Sequence, residues 1–186
     1  MKRFALASVV SICALLVLAG GALAADTMYM TATAAKQGQI RGSVTLKGLE
    51  GWMRVLDLDH NVISPRDPVS GLPTGRTQHK PLVVKIPLDK SGPMFINALV
   101  TNENLLSVEI AFYREMLRNG VMVPTRVGSI MLTNANVASE TTVNPDDKNP
   151  AGSAALELAL TYQKIQWTFG GITAMDDWMA PIATQP

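Results

Sequence analysis

The stretch "LSVEIAFYREMLRNG", Leu106–Gly120, decides the fold class. Leu106, Val108, Ile110 and Phe112 alternate with Ser107, Glu109, Ala111 and Tyr113. Side chains of a strand point to opposite faces in turn, so a period of two predicts one buried and one wetter face. The stretch closes on Asn119-Gly120, ahead of a second strand-like run. Both residues tolerate positive φ, which makes the pair a strong hairpin signal.

The same pattern recurs on either side. Leu82, Val84, Ile86 and Leu88 alternate, and so do Leu156, Leu158, Leu160 and Tyr162. The apolar set then shifts to Ile165, Trp167 and Phe169. A change of phase without a turn residue predicts a bulge, or a strand that bends between two faces. One segment departs from the rule. Ser91–Asn102 offers Ser91 as an N-cap, Pro93 in the first turn and apolar residues on nearly every side, which predicts a buried helix. The sum is a mainly β chain, an antiparallel β-barrel or sandwich with one short α-helix on its side.

The first 24 residues read separately. Lys2 and Arg3 are basic, Phe4 to Leu18 is apolar, and Ala22-Leu23-Ala24 is a small-residue cleavage pattern. These are the three parts of a secretory signal peptide, with cleavage expected between Ala24 and Ala25. An uncleaved membrane anchor is the competing reading, since the apolar run approaches the roughly 20 residues of a bilayer span. Cleavage leaves one domain, residues 25–186, without a stable membrane span. It lowers Lys plus Arg from 16 to 14 against 15 acidic residues, so the net charge moves from +1 to −1. A near-neutral domain has no electrostatic footprint for nucleic acid. It also loses Cys13, the single cysteine. An exported domain without a disulfide depends on its core or on its neighbours.

Catalytic and metal motifs are weak throughout. Asp57-x-Asp59-x-Asn61 opens like a calcium loop, but Val62 stands where glycine is needed and Pro68 where glutamate is. His60 and His79 flank a long loop and could meet, yet no third ligand stands at ligand spacing. Asp146-Asp147 has loop surroundings. Asp176-Asp177 reads as a solvated tail, because neighbours on a strand face opposite ways. Trp52, Trp167 and Trp178 suit core or interface packing better than a sugar site. No enzyme activity, no cofactor and no metal are expected.

Four stretches carry a resemblance. They are "GQIRGSV" (Gly38–Val44), "DHNVISPRDPVSGLPTGRTQHKPLVV" (Asp59–Val84) with its His79-Lys80-Pro81, "LALTYQKIQWTF" (Leu158–Phe169) and "DDWMAP" (Asp176–Pro181). In this order the chain resembles the haemolysin-coregulated protein family, the inner tube of the type VI secretion machine. The resemblance covers roughly residues 27–181. It implies a β-barrel with a side helix, hexameric rings stacked into a hollow tube, and small effectors carried in the lumen. It also implies contacts with a spike protein and a contractile sheath. Such tube proteins usually carry no signal peptide, so a start at Met28 or Met30, with cytoplasmic assembly, is the alternative to export through the signal. After the last motif, the toxin domain of extended members is not expected. An exported binding module, monomeric or ring-forming but outside a working tube, is the second reading.

Two sets of residues follow as site expectations. Ala111, Tyr113, Ile165 and Trp167 fall off the main apolar phase, and some of them are expected at a subunit interface, with Tyr113, Ile165 and Trp167 as the candidates. Ser64 to Gln78 is too long for a hairpin loop and too polar for a core. Pro65, Pro68 and Pro73 stiffen it, and Gly71 and Gly75 supply bends. Arg66, Asp67 and Arg76 carry both signs of charge, suited to an identical neighbour. The resemblance implies that this loop, from Ser64 onward, reaches the next ring.

Overall fold

The computed structural model describes residues 26–144 and 154–179. The expected cleavage point at Ala24 and Ala25, and the Asp146-Asp147 pair, lie outside them. The elements run β1 (Thr27–Ala34), β2 (Gly38–Ile40), β3 (Met53–Val55), β4 (Asp57–Asp59), β5 (Val62–Ile63), β6 (Gln78–His79) and β7 (Leu82–Pro87). Helix α1 (Gly92–Val100), β8 (Leu105–Arg118), β9 (Val121–Val143), β10 (Ala155–Phe169) and β11 (Ile172–Asp177) follow. The main sheet is antiparallel, in the order β2-β1-β8-β9-β10-β7-β4.

One short segment turns that sheet into a barrel. Met53–Val55 pair with Met30–Met28 of β1, and Asp57–Asp59 pair with Lys85–Val83 of β7. Leu56 sits between, its N–H donating to the Lys85 carbonyl at 2.7 Å. The two edges of the sheet are therefore bridged by one kinked strand. Edge groups that would otherwise face water are paired. Gly42 permits the approach of the preceding loop, because a Cβ there would stand 2.4 Å from Met53 Cγ and 2.5 Å from the Trp52 carbonyl oxygen.

Met30, Val84, Phe95, Ile110, Leu132 and Leu158 are fully buried in the core. Each contributes roughly 1.5–3 kcal/mol of apolar burial. The shift of phase expected in β10 is real, and it runs across three strands. Buried residues switch from Leu160 to Ile165 in β10, from Ala135 to Leu132 in β9, and from Leu105 to Val108 in β8. The switch follows from one extra residue. β8 loses register with β1 between Ser107 and Leu105, which leaves Leu106 unpaired to β1 and half exposed. Asn134 of β9 meets this level with φ +50°, and the pairings of β9 with β8 and β10 keep their register on either side of it, from Ala135 to Thr133, so the phase change passes on.

Several expectations need correction. Leu106 was expected on the buried face, but the bulge turns it outward, while Ala111 is fully buried. β7 ends at Pro87 and Leu88 is half exposed. The helix is shorter than Ser91–Asn102 and is buried on one face only. It packs on β9 through Phe95 and Ala98, and leaves Ile96 and Val100 in solvent. Ser91 makes no side-chain cap bond, since its hydroxyl donates to Asp89 instead. Among the described residues, no helix is long and apolar enough to cross a membrane.

Candidate functional site

The segment Ser64–Gln78 is not an irregular excursion. It is the outer part of a two-stranded ribbon. Val62 pairs with His79, Ile63 pairs with Gln78, and further out Arg66 bridges Pro73. The Thr74 N–H donates to the Pro65 carbonyl at 3.0 Å, and the Asp67 N–H donates to Leu72 at 2.9 Å. Asp67 builds the tip. Its Oδ1 accepts the N–H groups of Ser70 at 2.7 Å and Val69 at 3.1 Å, and the Ser70 hydroxyl at 2.9 Å. These bonds hold its carboxyl below the usual range. Pro68 pre-sets the turn, and Gly71, at φ +72°, closes it where a side chain would be strained. Arg66 Nη1 donates to the Gly71 carbonyl at 3.1 Å. Ser64 and Pro65 lead into the tip, while Gly75 and Arg76 lie exposed on the returning arm.

At the root of the ribbon the two histidines meet. His60 precedes β5 and His79 closes β6, so they mark its two arms. Both bind the hydroxyl of Tyr162 on β10, His60 Nε2 at 2.7 Å and His79 Nδ1 at 2.9 Å. The other nitrogen of His79 stands 2.8 Å from Asp176 Oδ2 on β11. The His79 ring stacks on Trp167 at 6.1 Å and meets the edge of Trp178 at 5.0 Å, and its side chain is 3% exposed. Burial first, and the neighbouring His79 second, push the His60 imidazole below its ordinary value. Burial, with the Asp176 charge, pushes Tyr162 up to about 12, so its proton stays and is shared. A one-way chain satisfies the Tyr162 hydroxyl and both nitrogens of His79: His79 Nε2–H donates to Asp176, Tyr162 O–H to His79 Nδ1, and His60 Nε2–H to Tyr162. Both nitrogens of His79 are occupied, so its ring ties the ribbon root to β10 and β11. Among the described residues, no three His, Cys, Asp or Glu side chains gather as a metal site.

Three quoted motifs converge here. His79 comes from His-Lys-Pro, Tyr162 and Trp167 from "LALTYQKIQWTF", and Asp176 and Trp178 from "DDWMAP". The family model described as "Type VI secretion system effector, Hcp" matches residues 29–169. This chain belongs to the Hcp family of the type VI secretion system. The Hcp relative "Major exported protein" of Pseudomonas aeruginosa is 34% identical over 173 residues, covering 86% of this chain and 99% of that one. A crystal structure of an Hcp protein overlays with TM-score 0.74 at 25% identity, over 83% of this chain and 100% of that one. Hcp1 from E. coli EAEC 042 overlays with TM-score 0.72 at 27% identity, over 83% of this chain and 99% of that one.

The remaining site expectations scatter over this Hcp barrel. Ile165 is fully buried inside the subunit, in line with Leu132 of β9, so it is core and not an interface anchor. The phase shift that made it look displaced is the bulge level described above. Trp167 packs against the core and the ribbon root. Tyr113 meets Tyr29 edge-on at 5.7 Å and lines a surface groove of 460 Å³ with Leu46, Leu49 and Pro124. The histidine–tyrosine–aspartate cluster was missed, because Asp176 read as a solvated tail. It lies on β11, where the cross-strand partner Ile165 anchors it. The available signal was the pair of histidines flanking a proline-rich excursion.

Proposed function

We propose that the chain is a structural and transport subunit that forms hexameric rings, stacks them into a hollow tube and carries small effectors in the lumen. Membership of the Hcp family supports the tube role. The observation that carries the stacking role is the ribbon of Ser64–Gln78, a stiff arm whose tip exposes Val69 at 94% and Leu72 at 66%. Such a tip gains area on contact without first being ordered. Tyr113 and the exposed Leu117, Val121 and Met122 of the β8–β9 hairpin are the candidate contacts within a ring. The spike and the sheath are the expected further partners. Shortening Arg66–Arg76 to Asn-Gly is expected to keep fold and ring, read by light scattering after size exclusion, and to abolish tubes in electron micrographs. Tubes that form equally well without the ribbon would refute the stacking role.

The N-terminal signal pattern favours a second reading, an exported ring or monomer outside a working tube. Intact mass of protein recovered from periplasm or medium decides the route. A chain starting at Ala25 supports signal-dependent export, and a chain starting at Met28 or Met30 supports cytoplasmic assembly.

A further inference from the structure

One edge of β8 is covered for only part of its length. From Leu105 to Tyr113 it pairs with β1, and from Arg114 to Arg118 that side has no partner strand among the described residues. The two-residue turn fixes which groups are left open. Arg118 and Val121 flank Asn119-Gly120 and exchange both backbone bonds, so Met116 and Arg114 also bond to β9. Glu115 and Leu117 therefore turn their N–H and C=O groups outward. β1 begins at Thr27, opposite Tyr113, and Asp26 already stands in line with the open stretch. Its carboxylate accepts Arg114 in a two-pronged pair, Nε to Oδ1 and Nη2 to Oδ2, each at 2.7 Å.

Continued by the same register, Ala25 faces Glu115, Ala24 faces Met116, Leu23 faces Leu117 and Ala22 faces Arg118. The open edge thus matches the run Ala22–Asp26 residue for residue, and that run carries the expected cleavage pattern. We infer that the open edge of β8 is the docking strip for the residues preceding Asp26, and that a folded chain with its leader attached hides its own cleavage site. Ala25 and Leu23 take up the hydrogen bonds that Glu115 and Leu117 leave open, which covers the edge. Cleavage adds water across the Ala24–Ala25 peptide bond and leaves a carboxylate on Ala24 and an ammonium on Ala25. Ala25 alone then stays on the strip, and Leu117 is uncovered. The new ammonium falls at the register position of Glu115. The Glu115 carboxylate lines the groove with Thr27, Tyr29 and Tyr113 and takes part in none of the ion pairs among the described residues. A protease cuts the opened form of a segment, so cleavage has to precede closure of this strip. That order rests on the signal-peptide reading, and the docking does not.

Amide exchange in one detergent buffer compares the full chain with chains starting at Ala25 and at Met28. Glu115 should exchange about tenfold slower in the full chain, and about threefold slower in the chain from Ala25, than in the chain from Met28. Leu117 should be slowed in the full chain only, with Ile130 and Leu132 equal in all three. Leu117→Pro removes an outward N–H and no bond to β9, so the hairpin is kept. Arg114→Ala removes the pair with Asp26 and leaves the leader unaltered. Signal peptidase should cut the folded full chain about tenfold faster in either variant than in the wild type, with a product starting at Ala25 by intact mass. A chain that is not cut even when unfolded counts against the signal-peptide reading alone, and exchange then decides the docking. Glu115 exchange independent of the start, or equal cutting of the wild type and both variants, would overturn it. Protection that follows protein concentration and not the start would overturn it too, and would give the edge to a second copy.

Discussion

Two β-ribbons leave this barrel, and they are stiffened in opposite ways. The β8–β9 hairpin leaves the barrel past a register shift between Phe112 and Tyr113, then pairs without a break from Tyr113–Arg126 out to Arg118–Val121, and turns on Asn119 and Gly120 at φ +51° and +79°. Its support is local: consecutive cross-strand bonds and a turn whose residues accept positive φ. The ribbon of Val62–His79 has two paired positions and one isolated bridge, too few to stand alone. Its support is tertiary, through Tyr162 and Trp167 of β10, Asp176 of β11 and Trp178 just after it. A ladder can stiffen a projecting arm from within. An arm built from proline and glycine needs to be held at its root.

The largest effect should erase the contrast. Ile165→Ala removes core packing beneath both arms and should cost about 2–5 kcal/mol in chemical denaturation. Both ribbons should then lose exchange protection together. Equal protection in one arm would place Ile165 outside the shared core. Tyr162→Phe should separate the two. Leaving buried imidazole groups without their partner is expected to cost about 1–3 kcal/mol, with loss of protection at Val62 and Gln78 and none at Met122. If the hairpin loosens as well, the root is part of the global core and not a local clamp.

Gly120→Val tests the converse. A β-branched residue at φ +79° should cost about 1–2 kcal/mol and fray Leu117–Met122 while the Val62–His79 ribbon keeps its protection. The smallest effect is at the other tip. Asp67→Ala removes three accepted hydrogen bonds from an exposed turn. The melting temperature should stay unchanged, with faster exchange confined to Val69, Ser70 and Gly71. A global loss of stability would mean that the tip, and not the root, organises this arm.

The strand pattern was legible because it is local. Alternation within Leu82–Ile86, Val108–Phe112 and Leu156–Leu160 records which face meets the core, and Asn119-Gly120 records the one turn that a two-residue link permits. The family was legible too, since its motifs are contiguous. The sequence also marked the phase change at Ile165. It could not say that the change belongs to a level spanning β8, β9 and β10, because that depends on Leu106 having no partner in β1.

The tertiary structure alone decided the root of the ribbon. His60 and Tyr162 are 102 residues apart, His79 and Tyr162 are 83 apart, and His79 and Asp176 are 97 apart. No periodicity links such positions. A polar side chain reads as solvated in a sequence, since burial without partners is unfavourable. It becomes a buried network only when the folded sheet brings matching donors and acceptors within 3 Å. The sequence by itself determined the strands, the turn and the family, because short-range alternation and backbone preference are written residue by residue. The fold determined which polar residues face one another, because that is settled by strand register.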